Sequence, residues 1–111
     1  MAKGFGGMGG MFRDIQKQAE GMQKRLAEVQ QALRERVYEG TAGGGMVTVH
    51  VNGQRELLAV KISPEVVNPD DVEMLEDLVT AAVSQALKKA AEAYAQEMAK
   101  LTGGVSLPGL L

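Results

Sequence analysis

The sequence predicts an α+β domain running helix, strand, β-hairpin, helix. Three observations carry that reading: an apolar heptad from Phe12 to Leu33, an alternating run broken at Asn52-Gly53, and a second long apolar stripe after Asn68-Pro69. With 111 residues, 45% apolar and 23% charged, the chain fits one small domain with a single core. A domain of this size buries a modest share of its surface and has no cysteine to staple it, so an oligomer is expected. Nothing resembles an apolar signal segment or a run of about 18 apolar residues, so the chain reads as soluble, unexported and without a membrane partner.

Five of the first ten residues are glycine, and this stretch is expected to be flexible. A helix then follows over about residues 11–36. Phe12, Ala19, Leu26 and Leu33 recur every seven residues and interleave with Ile15, Met22 and Val29, the a/d pattern of a coiled-coil seam. Gly21 weakens this helix by roughly 1 kcal/mol relative to alanine without breaking the period. At 1.5 Å per residue its length is about 39 Å.

A weakly signalled strand is expected at residues 37–41, followed by the clearest local element. Residues 46–51 and 55–62 alternate around Asn52-Gly53, whose composition suits a two-residue type I′ turn with Val51 opposite Gln54. One face then carries Val47, Val49, Val51, Leu58, Val60 and Ile62. The other is mixed and sets His50 opposite Arg55.

Ser63-Pro64 ends the hairpin, since proline removes a ladder donor. In Asn68-Pro69-Asp70-Asp71 the sequence offers Asn68 as a cap, Pro69 as first helical residue and two aspartates for the dipole's positive end. The second helix has an apolar stripe of Val72, Leu75, Val79, Ala82, Val83, Ala86, Ala90, Tyr94, Met98 and Leu101, with Gly103 as a stop. It spans about 48 Å, against about 23 Å for a seven-residue strand, so both helices should overhang the sheet. Residues 103–111, GGVSLPGLL, read as a tail with an apolar end.

The stretch GTAGGGMVTVHVNG at residues 40–53 raises the question of a phosphate loop. Such a loop needs its glycines followed by Lys and Ser/Thr at a helix N-terminus. Gly43-Gly44-Gly45 instead leads into Met46-Val47-Thr48, so a connection between strands is favoured. Gly4, Gly6 and Gly9 match GxGxxG, but no strand precedes them. Catalytic signals are equally thin. His50 is the one histidine, and the hydroxyl residues have no other base to activate them. Asp70, Asp71, Glu73, Glu76 and Asp77 cluster, yet helix-start electrostatics accounts for the first of them without a metal. No catalytic residue, metal ligand or cofactor is assigned.

Charge is segregated within a net −2. Residues 1–36 hold seven Lys/Arg against four acids, residues 37–82 two against eight, and residues 83–111 three against two. In the heptad frame Lys17 and Lys24 occupy outward f positions, Arg13 lies one turn before Lys17, and Arg25 flanks the seam. Arg13 and Lys17 are like-charged neighbours four apart, a repulsion that an anionic partner would relieve. The plain alternative is a solvated face compensated by pairs such as Glu20 with Lys24. Lys88 and Lys89 on the second helix are weaker candidates, since Glu92 can pair with Lys88.

GTAGGGMVTVHVNG, Ile62-Ser63-Pro64, "DDVEMLEDLVTAAVSQA" and the helix "IQKQAEGMQKRLAEVQ" together resemble the YbaB/EbfC family of bacterial nucleoid-associated DNA-binding proteins. The resemblance covers roughly residues 11–102. It implies an α-β-β-β-α subunit with a three-stranded antiparallel sheet, a homodimer whose two long helices project like tweezers, and binding of duplex DNA with little sequence preference. Lys17 and, less closely, Arg25 match the family's basic first helix; Arg13 and Lys24 come from the helix face. In the LEDLV stretch, Leu75, Leu78 and Val79 read as packing and Glu76 and Asp77 as exposed. A second reading, from another class, is a protein-interaction module that uses the coiled-coil arms, the methionines Met8, Met11 and Met22, and the apolar tail.

Overall fold

The computed structural model describes residues 2–102, with side chains from residue 9 onward. The tail and the stop expected at Gly103 lie outside the described residues. Helix α1 (Ala2–Glu35) leads into strands β1 (Val37–Ala42), β2 (Val47–Asn52) and β3 (Leu57–Ile62), a single 3₁₀ turn (Pro64–Val66), and helix α2 (Val72–Leu101). The sheet is antiparallel in the order β1-β2-β3. This is the α-β-β-β-α order that the patterns predict. Helix α1 begins at Ala2, ahead of the expected start near residue 11.

Helix α2 lies across β1 and β2. Its buried stripe is Ala82, Ala86 and Ala90, set against Val47, Val49 and Val51, all fully buried. Each buried valine contributes on the order of 1.5–3 kcal/mol. Small residues on the helix let the two backbones approach closely. At Gly40 on β1 a Cβ would collide with the Ala82 carbonyl oxygen and sit 2.6 Å from the Ala86 nitrogen. Only glycine fits there. Leu75, Leu78 and Val79 pack around this core, whereas Val72 at the head of the predicted stripe is exposed.

The glycine triplet resolves as a turn between β1 and β2. Gly43, Gly44 and Gly45 have φ of 64°, 66° and 92°, the left-handed region that L side chains avoid.

The hairpin departs from its expected turn. Val51 lies opposite Leu57 and not Gln54, with a bulge between His50 and Val51, and Val47 pairs with Ile62. Asn52 is the cause. Its side-chain Oδ1 accepts from the backbone N–H of both Gln54 and Glu56, closing a longer loop in which Arg55 takes a φ of 64°. Gly53 is used differently: its N–H donates to the Leu33 carbonyl at 2.8 Å. Val60 and Ile62 keep their predicted face opposite Val49 and Val47, because the register differs by an even number of residues. His50 consequently faces Ala59 on β3 and Glu39 on β1, not Arg55.

The second helix is capped by Asp71, whose Oδ1 accepts from the Met74 N–H at 3.2 Å, not by Asn68. Asn68 instead closes the preceding turn by accepting from Asp70 N–H at 3.0 Å. Three more residues of turn are thereby inserted before helix geometry begins.

At 34 and 30 residues the two helices are about 51 and 45 Å long, more than twice the length of a six-residue strand. The molecule measures 83 × 25 × 19 Å. Leu33 is fully buried and seats the C-terminal end of α1, while every residue from Gly9 to Glu20 is exposed. The first helix is an arm anchored at one end.

Candidate nucleic-acid interface

The anchor of the arm is built from several contacts of different kinds. Besides the Gly53 hydrogen bond, Gln54 Nε2 donates to the Gln30 carbonyl at 3.0 Å and Arg34 lies 3.9 Å from Glu56. Arg36, just past the helix, donates through Nη1 to Glu97 Oε1 of α2 at 3.1 Å. Glu97 also receives Lys100 at 3.4 Å. The hydrogen bond from Arg36 holds the Glu97 carboxyl below its ordinary value, with partial burial opposing. Its reciprocal, the bond to Glu97, holds the Arg36 guanidinium above its own, with a smaller contribution from Tyr38.

This anchoring divides the basic residues into two sets. Arg34, Arg36 and Lys100 are engaged by carboxylates, Lys89 donates to the Glu39 carbonyl at 2.8 Å, and Arg55 lies 5.7 Å over the Tyr94 ring. Arg13, Lys17, Lys24 and Arg25 are exposed, and none enters an ion pair or side-chain hydrogen bond among the described residues. The expected compensation of Lys24 by Glu20 does not form, nor does a Glu92 pair for exposed Lys88. Of the six candidate positions, the fold thus brings Arg13, Lys17 and Lys24 onto one free face of the arm. Lys89 it sets apart, committed to the edge of β1.

Arg25 stands at the side of the seam, where it borders a groove between the helices together with Arg36, Lys100 and Leu101. Sequence reasoning missed Arg36 and Lys100 here. Their one signal is their place at the end of each helix, which says nothing about the two ends meeting.

The arm's other face is apolar and uncovered. Phe12, Ile15 and Met22 are 68%, 58% and 43% exposed, while Leu26 and Val29 are half-buried nearer the body. A second apolar surface lies on β3. Val60 and Ile62 are about 40% exposed although they share a face with buried valines, because α2 does not reach them. The two sheet edges are treated differently. On β1, Gln85 Oε1 accepts from Thr41 N–H at 2.7 Å and Lys89 takes the Glu39 carbonyl, so α2 side chains occupy that edge.

His50 Nε2, half-buried, lies 3.6 Å from Glu39 Oε2 across β1 and β2. Among the described residues no group of three or more His, Asp or Glu is placed to hold a metal ion, and no helix is long and apolar enough to cross a membrane.

Comparison with known proteins agrees with this geometry. The model of the YbaB/EbfC DNA-binding family matches residues 8–105. A nucleoid-associated protein of Clostridium novyi is 52% identical over 109 residues, 96% of each chain. One from Caldanaerobacter subterraneus is 52% identical over 110 residues, 99% of each. The fold is also that of an uncharacterized protein from Helicobacter pylori, with a TM-score of 0.75 at 22% identity, covering 80% of this chain and 94% of that one. With these matches spanning nearly its whole length, the chain belongs to the YbaB/EbfC DNA-binding family.

Proposed function

We propose that the protein is a non-enzymatic, nucleoid-associated protein of the bacterial cytoplasm that binds duplex DNA as a homodimer and influences nucleoid organisation and gene expression. Its contacts are mainly to phosphates and carry little sequence preference. The observation that supports this most is the untied basic face of α1. Arg13, Lys17 and Lys24 have no partner within the described chain, whereas most basic residues near the body do. Side chains that neutralise phosphates release counterions and supply affinity without reading bases.

The acidic middle of the chain is compatible with this reading because of distance. Lys24 and Arg13 lie nine and twenty residues from the seat at Leu33, or about 14 and 30 Å along the helix. Both exceed the Debye length of about 8 Å at physiological salt, so repulsion from the body is largely screened at the arm. The uncovered face of β3 supports the dimer. A sheet edge that keeps exposed valine and isoleucine suits a second copy better than water.

The second reading, a protein-interaction module, draws on the exposed Phe12, Ile15 and Met22 of the seam. Salt separates the two. Titrating a labelled mixed-sequence duplex at several salt concentrations, with light scattering on the same sample, should show a dimer whose affinity falls with a log–log slope of about −0.9 per phosphate contact. A dimer that ignores DNA at low salt would refute the DNA reading and favour a protein partner.

A further inference from the structure

We infer that Gly21 forms a notch in the arm that seats a backbone phosphate of the duplex between Lys17 and Arg25. The inference rests on the DNA reading and goes beyond it by naming where the strand touches the helix. Glycine in a helix interior is costly, and its presence calls for a reason. At Gly40 and Gly53 the reason is internal, since a Cβ would collide with backbone atoms of α2 or α1. Gly21 has no such reason within the described residues: a Cβ there meets nothing within 4 Å, and its φ is not positive. What the missing side chain leaves is open surface on the arm.

That surface is a hollow of about 420 Å³ lined by Lys17, Gln18, Gly21, Met22 and Arg25. It has room for a phosphodiester and not only for a water molecule, whose share of liquid volume is about 30 Å³. Lys17 and Arg25 stand four residues to either side of Gly21, so the two cations rim one notch from the turns before and after it. Neither enters an ion pair among the described residues. Helical side chains lean toward the N-terminus, which carries Arg25 over Gly21. Gln18, three residues before Gly21, adds a neutral amide donor.

The sign of the charge is specific to this place. The hollow contains no acid, whereas the one beside Arg13 includes Glu20 and the groove at the body includes Glu28 and Glu97. Asp14 and Glu28, the acids nearest on this side, lie seven residues away in each direction. That is about 10 Å along the helix, beyond the Debye length of about 8 Å at physiological salt. With no side chain at Gly21, a phosphate settles against the helix where both cations reach it, and two charge-assisted contacts converge on one anion. A helix of a second copy fits worse, because a two-fold crossing at Gly21 brings the same cations face to face.

Gly21→Gln fills the notch with a good helix former and leaves every charge in place. In the full chain, amide exchange over residues 17–25 should become slower than in the native chain, since the arm gains helix propensity. Affinity for a labelled mixed-sequence duplex should nevertheless fall about tenfold, and the log–log salt slope should become shallower by about 0.9 for each arm engaged. The loss should vanish when Gly21→Gln is placed in a chain carrying Lys17→Gln and Arg25→Gln, since no seated phosphate is left to displace. Unchanged affinity and slope in Gly21→Gln, against a native chain that binds DNA, would overturn the notch alone. A native chain that ignores DNA at low salt would overturn the DNA reading with it. A change of oligomeric mass in Gly21→Gln by light scattering would give the notch to a helix contact between copies and also refute the proposal.

Discussion

The backbone N–H of Gly53 donates to the Leu33 carbonyl at 2.8 Å, and a Cβ on Gly53 would lie 2.7 Å from that of Leu33. A residue whose sequence context signals a hairpin turn thus serves to seat the end of α1 at Leu33, twenty residues upstream. One of the last carbonyls of α1 finds its donor there, and the close approach leaves no room for a side chain. Gly53→Ala should therefore loosen the arm's anchor. A destabilisation of roughly 1–3 kcal/mol is expected, the usual range for overpacking, read by thermal melting and by faster amide exchange in the last turns of α1. Unaltered exchange in those turns would show that the seat lies elsewhere.

Gly40 and Gly44 make a paired test of the glycine stretch. Gly40→Ala drives a methyl into backbone atoms of Ala82 and Ala86, which cannot rotate aside, so the loss should reach or pass the upper end of about 1–3 kcal/mol. Gly44 faces open space and has only its φ of 66° to defend. Gly44→Ala should cost about 1–2 kcal/mol. Denaturant unfolding of both variants checks the order, and a reversed order would contradict the close packing of α2 on β1.

The clamp between Arg36 and Glu97 should fail in acid. Glu97 has its carboxyl lowered by the hydrogen bond from Arg36, so the folded state holds it ionised more readily than the unfolded state does. Its contribution is complete above the ordinary glutamate value of about 4.3 and is lost as pH falls through the lowered folded value. Comparing the native chain with Glu97→Gln across that window, the difference in melting temperature should be present at neutral pH and shrink toward zero below it. A difference that stays constant into acid would remove the clamp from the account.

If the face of β3 receives a second copy, one charge at its centre should separate the copies. Val60→Lys is expected to give one chain's mass by light scattering, with the far-ultraviolet circular dichroism preserved because Val60 is already 39% exposed in the single chain. An intact dimer in that variant would move the interface to another surface.

Much of the fold was legible because its signals are local. The heptad from Phe12 to Leu33, the alternating valines of β2 and the stripe through Ala82, Ala86 and Ala90 each follow from one element's own period. Where a choice between neighbours decided the outcome, the pattern misled. Asn52 uses its side chain to gather two backbone donors, which lengthens the loop, and Asp71 outcompetes Asn68 as the cap. Even so, Val60 and Ile62 kept their face, since alternation survives an even shift. At the site, exposure of Arg13, Lys17 and Lys24 followed from the heptad frame. The commitment of Lys89 to Glu39, fifty residues away, and of Arg36 to Glu97, sixty-one away, depended on tertiary contacts that no spacing announces.

The central claim is that the free lysines of α1 meet phosphates. The most direct test measures DNA affinity against salt for the native chain and for Lys17→Gln with Lys24→Gln, both checked as folded and of the same oligomeric state. If both lysines neutralise phosphates in each arm that engages the duplex, the log–log slope should become shallower by about 0.9 for every contact removed, with affinity falling across all sequences alike. An unchanged slope and affinity in the folded variant would contradict the account and take this face of α1 out of DNA binding.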